Sequence, residues 1–228
     1  GLQVTSNGSN VSLRGATKAH TTYTITVSGE VRDEFGQTLG KRQTLRWEVG
    51  AARPTFFGPE GMVVLDPSGK RPTLDYFSVN YTGLRVQLYQ VGPDDYAPFV
   101  AAMQRRWDRK DPPTIPGAKV FDQVVPTTKG KDELVESAVD LSAALGKGGL
   151  GHVIAVVEPS PWTEKHDPPR KYTWVQSTHL GLDAYVDGED VVGFVSDLAT
   201  GVAAEGVALR LTPGDAQAQT AAGGLATF

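Results

Sequence analysis

The 228-residue chain contains no cysteine. That absence excludes disulfides, thiolate nucleophiles and cysteine-ligated zinc in one step. A secreted animal β-sandwich of this size commonly carries a disulfide, so the lack favours a bacterial source. No apolar run approaches the roughly 20 residues that a membrane-spanning helix requires, and direct membrane insertion is not expected. Gly1 opens without a signal-peptide pattern, so the chain reads as excised from something longer. No run of Lys and Arg marks a nucleic-acid face, and with a formal net charge of −4 and a pI near 5.6 polyanion binding is not expected.

What is present suits a chain that turns often. Gly 26 and Pro 15 exceed the needs of a helical protein, and 39% apolar content is enough to bury a core. The clearest unit is Val191 to Leu211 (VVGFVSDLATGVAAEGVALRL), read as a strand, a corner, a short link and a second strand. Val207, Leu209 and Leu211 alternate with Ala208 and Arg210, the period of a half-buried strand. Asp197 is placed to bond the turn backbone, and Gly201 supplies the positive φ that ends it.

Nearer the start, Tyr23, Ile25 and Val27 alternate with threonine and serine, as Leu45, Trp47 and Val49 do with Arg46 and Glu48. The Asp33 to Gly40 stretch between them is turn chemistry, which predicts a hairpin with one wet face. Some fifty residues hold too few strands to close a sandwich, which takes about seven, so opening strands are expected to be missing. The two prolines of Ala51 to Pro59 suit a domain boundary. Strands follow at Met62 to Leu65, Tyr76 to Thr82 and Leu84 to Val91.

A helix over about 94–110 interrupts them. Asp94 and Asp95 cap it, and Tyr96, Phe99, Val100, Met103 and Trp107 share one face. Arg105, Arg106, Arg109 and Lys110 crowd its C-terminal end, and Pro112-Pro113 stops it. Strands resume at Lys119 to Val125, at Glu133 to Leu141 running into a helical turn, and at His152 to Glu158. Ser160 to Lys171 is a polar hairpin loop leading to Tyr172 to Ser177. A new alternation starts from His179 through Leu180, Leu182, Tyr185 and Val186, in a domain that stops at Phe228 before its last strands. The fold class predicted is all-β: tandem immunoglobulin- or fibronectin-like antiparallel β-sandwiches with one short inserted helix.

Each chemical motif has a plainer reading. Gly146 to Gly151 (GKGGLG) matches the dinucleotide fingerprint letter for letter, but that motif needs a strand before it and a helix after it. Here a strand follows, which leaves a flexible turn and no cofactor. Asp183, Asp187, Glu189 and Asp190 lack the fixed offsets of a calcium loop. His20, His152, His166 and His179 stand far apart with no zinc spacing. There is no nucleophile elbow, and nothing marks any pair among the acidic residues as a glycosidase dyad. Sequons at Asn7, Asn10 and Asn80 are read as chance occurrences in a chain rich in serine and threonine. Trp107 fits the helix face and Trp174 a strand, both as core. Trp162, in the polar loop, stays open as a sugar-stacking platform. No catalytic, cofactor-binding or metal-binding residue is assigned.

These segments resemble consecutive modules of bacterial alpha-2-macroglobulin-like proteins. Val27 to Leu39 looks like the strand and turn of the bacterial Ig-like domain (1–52, its C-terminal part) that precedes macroglobulin-like domains. Leu74 to Phe99 and Val135 to Val157 are similar to the next domain (53–174). Trp174 to Leu180, followed by a Val191 to Leu211 hairpin, resembles the junction into another macroglobulin-like domain (175–228, incomplete). The resemblance implies a non-catalytic scaffold in a protease-trapping endopeptidase inhibitor of the periplasm or extracellular cell envelope. Its partners would be neighbouring domains of the parent protein and, through the parent, proteases. The Cys-x-x-Glu-Gln thioester of many members is not in this chain, and no bait segment is evident. The alternatives are a tandem Ig-like adhesion or carbohydrate-binding module of a bacterial surface protein, and accessory β domains of a polysaccharide-active enzyme. Incomplete sandwiches would leave strand edges open to neighbouring chains.

Overall fold

The structure, a computed structural model, describes residues 3–7, 10–69, 71–105, 112–128 and 130–228. Its strands gather into three groups along the chain, and among the described residues no ladder joins one group to the next. The first holds two antiparallel hairpins, β1 (Gln3–Asn7) with β2 (Asn10–Arg14) and β3 (Thr21–Val27) with β4 (Gln43–Val49). The Asp33 turn forms as expected: the Asp33 carboxylate accepts from the Phe35 and Gln37 amides at 3.0 and 2.8 Å, and Gly36 takes φ +80°. The expected dry face does not form fully. Tyr23, Ile25 and Val27 are half-buried, but opposite them Leu45 and Trp47 are 58% and 55% exposed. Alternation placed these side chains on one face, but the described residues leave the β4 side of that face open.

The middle group comprises β5 (Thr55–Phe57), β6 (Gly61–Leu65), β7 (Thr73–Val79), β8 (Gly83–Val91), α1 (Tyr96–Arg105), β9 (Ala118–Pro126), β10 (Val135–Asp140), β11 (Gly151–Ser160) and β12 (Lys171–Ser177). They form a three-stranded sheet in the order β10-β7-β5 and a five-stranded sheet in the order β6-β12-β11-β8-β9. The two sheets face each other. Phe56, Leu74 and Tyr76 of the smaller one meet Leu84, Val86 and Leu88 of β8 and Val153, Ala155 and Val157 of β11. Ile154 and Val156 of β11 point the other way and, with Tyr172 and Trp174, form a second core beneath Phe99 of α1. The uninterrupted apolar run of β11 follows from this, because a strand covered on both faces has no wet side for a polar residue.

The helix is therefore a third layer. A 3-10 turn at Pro93–Asp95 precedes it, where the Asp95 carboxylate accepts from the Gly92 amide at 2.9 Å. The described helix ends at Arg105. Arg106, Trp107, Arg109 and Lys110, expected in its last turn, lie outside the described residues. The stretch from Glu133 to Leu141, expected as a strand running into a helical turn, contains the strand β10 and then a turn closed by the Ala144 amide on the Leu141 carbonyl at 2.9 Å. One pairing departs from the antiparallel pattern: β6 lies parallel to β12. The expected boundary at 174/175 falls inside β12, which keeps its pairing to Ser177.

The third group contains β13 (Leu180–Asp187), β14 (Asp190–Asp197), β15 (Ala208–Arg210), β16 (Gln217–Gln219) and β17 (Leu225–Thr227). The Asp197 corner is as read from the sequence: its carboxylate accepts from the Thr200 amide at 2.9 Å and the Thr200 hydroxyl at 2.7 Å, and Gly201 takes φ +70°. Val191 to Leu211 is not a hairpin. β14 lies between β13 and β17, while β15 pairs with β16, and only a bridge at Ser196 and Ala203 spans the corner. The alternation in 207–211 identified a strand without naming its neighbour.

Candidate functional site

With no ladder between groups among the described residues, contacts near the links join one group to the next. At the first joint, His20 lies just before β3, Ala52 in the link, Asn80 directly after β7 and Asp132 shortly before β10. One Asp132 carboxylate oxygen accepts from the Ala52 amide at 2.8 Å and from Asn80 Nδ2 at 2.9 Å. The other lies 2.9 Å from His20 Nε2. Asn80 returns the contact, its side-chain oxygen accepting from the Asp132 amide at 2.8 Å and its Nδ2 donating to the Ala52 carbonyl at 2.8 Å. The Asp132 side chain is 8% exposed, whereas His20 is 59% exposed. Hydrogen bonds, that from Asn80 foremost, hold the Asp132 carboxyl below the usual carboxylate range.

A second joint links the middle and last groups. The Thr178 amide donates to the Leu65 carbonyl at 3.0 Å, and the His179 carbonyl accepts from the Leu198 amide at 2.8 Å. His179 Nδ1 lies 3.8 Å from an Asp66 oxygen. Asp66 is lowered chiefly by its bonds from Ser68 and Asp197 by those from Thr200, with His179 contributing to both. At each end, a histidine that opens a flanking sheet meets an aspartate of the middle group.

The residues singled out from the sequence are otherwise dispersed. Gly146 to Gly151 make a turn leading into β11, with Gly148 and Gly149 at positive φ and no helix after it. Asp183, Asp187, Glu189 and Asp190 lie exposed along the β13–β14 hairpin. Among the described residues no three histidine or acidic side chains converge as a metal site. His152 is set against Trp174 and lowered by burial, and His166 lies 3.8 Å from Glu164. Trp162 donates its indole N–H to the His166 carbonyl at 2.6 Å and stacks on Tyr81 at 6.3 Å, so it anchors its own loop. The Asn80 amide is committed twice within the joint, which leaves that sequon no free nitrogen for a glycan.

A cluster of paired charges lies on the sheet beside α1. On the outer face of the five-stranded sheet, Asp122 receives Lys119 at 2.7 Å, Gln87 at 2.9 Å and Arg85 at 3.1 Å, which together hold its carboxyl well below the usual range, Lys119 contributing most. Arg85 and Arg170 both reach Glu158. A groove of about 440 Å³ beside α1 is lined mainly by Met62, Tyr96, Phe99, Val100 and Met103, with Glu60 and Gln104 as its polar side chains among the described residues. The joints went unrecognised in the sequence because His20 and Asp132 are 112 positions apart. The one local sign was an asparagine immediately after a strand, which also belongs to a sequon.

No protein-family model matches the chain. A 59-residue stretch, 26% of the chain, is 37% identical to an alpha-2-macroglobulin homolog from Nostoc sp. and covers 3% of that protein. A crystal structure of native alpha-2-macroglobulin from Escherichia coli spanning domains MG0-NIE-MG1 aligns over 100% of this chain and 73% of its own, with a TM-score of 0.54 and 16% identity. The native conformation of the E. coli protein aligns over 93% of this chain and 14% of its own, with a TM-score of 0.53 and 17% identity. A Salmonella alpha-2-macroglobulin mutant aligns over 100% and 14%, with a TM-score of 0.51 and 17% identity. The chain thus corresponds to a small part of these proteins. It is an all-β chain whose structural neighbours are bacterial alpha-2-macroglobulins, as the sequence resemblance implied.

Proposed function

We propose that this chain is a non-catalytic scaffold segment of a bacterial alpha-2-macroglobulin-like protease trap. The observation that carries this reading is the likeness of fold along the whole chain to 73% of the E. coli structure that spans domains MG0-NIE-MG1. The local identity to the Nostoc homolog and the two side-chain joints support it. The modules are those outlined by the sequence, 1–52, 53–174 and 175–228, with the second boundary moved past Ser177 where β12 ends. Their task is geometric, each module setting the direction of the next. Their partners are the adjoining domains, and proteases only through the assembled trap. On this reading the trap works in the periplasm or extracellular envelope. Among the described residues no helix is long and apolar enough to cross a membrane.

The test uses the polypeptide that carries this segment, mixed with trypsin. A trap leaves cleavage of a small chromogenic peptide nearly intact while suppressing digestion of a large protein substrate. Equal effects on both substrates, or none, would reject the reading. Glycan-array binding lost in Trp162→Ala would instead favour the carbohydrate-binding alternative, although Trp162 is engaged within its own loop.

A further inference from the structure

Among the described residues, the non-glycine positions with positive φ are His20 (53°), Asn80 (58°) and Asp132 (61°). All three belong to the first joint, although they come from three distant parts of the chain. Left-handed backbone is uncommon outside glycine, and although His, Asn and Asp enter it more readily than other side chains, it persists where the surroundings over-determine it. Here the surroundings are the hydrogen bonds these side chains make to one another and to Ala52.

We propose that Asp132 is the keystone of a releasable joint: one side chain fixes the β3–β4 hairpin on the middle sheets, and its loss frees the hairpin while the middle sheets stay folded. Three features lead there. Its two oxygens bind three segments at once, the stretch before β3 through His20, the link through Ala52, and the β7 exit through Asn80. Asp132 is absent from both apolar cores, so removing it takes nothing from the packing around Val153 or Trp174. No ladder among the described residues holds the hairpin to the middle group as a substitute. This inference stands independently of the family reading.

Acid supplies a second way to open the joint. His20 is the titratable group set against Asp132, and Lys131 and Glu133 flank it in the chain. Because the folded carboxyl is held below its ordinary value, its contribution is present above the ordinary carboxylate range. It is lost as pH falls through the lower folded value.

The absence of cysteine allows Glu34→Cys and Lys147→Cys to carry a clean pair of nitroxide labels, one at the hairpin turn and one on the middle group. Electron–electron dipolar spectroscopy should give one narrow distance for the parent sequence. Asp132→Gly, which keeps the backbone free to hold positive φ, should replace it with a broad distribution, while Glu133→Ala leaves it narrow. The near-ultraviolet circular dichroism of buried Trp174 and the thermal midpoint of the middle sheets should be retained in Asp132→Gly. A narrow distance in Asp132→Gly would overturn the proposal, and so would loss of the Trp174 signal in that variant. In the parent sequence, the narrow distance should vanish on acidification before the Trp174 signal does. Simultaneous loss counts against a separable joint.

Discussion

Tyr76 shows how a single side chain links packing to pH. It is fully buried, stacks on Phe56 at 5.9 Å, and its hydroxyl, set beside Thr173, finds no well-formed hydrogen bond among the described residues. The Thr173 hydroxyl donates instead to the Pro59 carbonyl at 2.8 Å. Burial pushes the Tyr76 phenol up to about 12. A group that ionises less readily in the folded state costs stability as pH rises above its ordinary value near 10. Tyr76→Phe should therefore stay within about 1 kcal/mol of the parent at neutral pH, because it removes an unsatisfied hydroxyl and keeps the ring. It should also lose less stability between about pH 8 and pH 11, as read from urea midpoints. An equal alkaline loss in both proteins would place the responsible group elsewhere. A strand from Tyr76 to Thr82 was visible in the sequence, but the missing partner of the Tyr76 hydroxyl was not. A strand pattern gives the face of a side chain and says nothing of which polar atom waits across the core. The same limit hid Asp132, whose partners come from three separate segments.

At the scale of elements, α1 and β11 explain each other. Phe99 and Tyr96 of the helix contact Trp174 at ring-centroid distances of 5.7 and 5.1 Å, above the outward side chains of β11. Phe99→Ala should cost about 3–5 kcal/mol, the usual range for truncating a buried aromatic. Trp174 emission should shift to the red as water reaches its ring, and an unchanged spectrum would mean that the helix does not cover it. The spacing from Tyr96 to Met103 was enough to locate this helix and its apolar face. That it roofs the five-stranded sheet was not legible, because periodicity names a buried side without its partner. Strand direction was equally hidden: an alternating or apolar run reads the same whether its neighbour is parallel or antiparallel, and the β6–β12 pair was missed on that account. The Gly146 to Gly151 turn was legible, since the strand after it rules the order of elements.

For the molecule as a whole, the middle group holds both apolar cores that tie sheets and helix together, and both joints fasten onto it through Asp132 and Asp66. The path of the backbone through that group has a mechanical consequence. The chain comes in through β5 and β6 and goes out through β12, and β6 and β12 run side by side in the same direction from Gly61 beside Thr173 to Leu65 beside Ser177. Tension between the two ends of the chain therefore loads this ladder in shear, straining its bonds together. In β3–β4, Thr21 lies beside Val49, so the same pull opens that hairpin one bond at a time, like a zipper. Stretching a single molecule should yield early, low-force extensions from the flanking hairpins and a later, distinctly higher rupture from the middle. A low-force middle rupture would contradict the shear geometry. A segment built this way behaves as a strut with compliant ends, and a pull on either neighbour is passed along before it is absorbed.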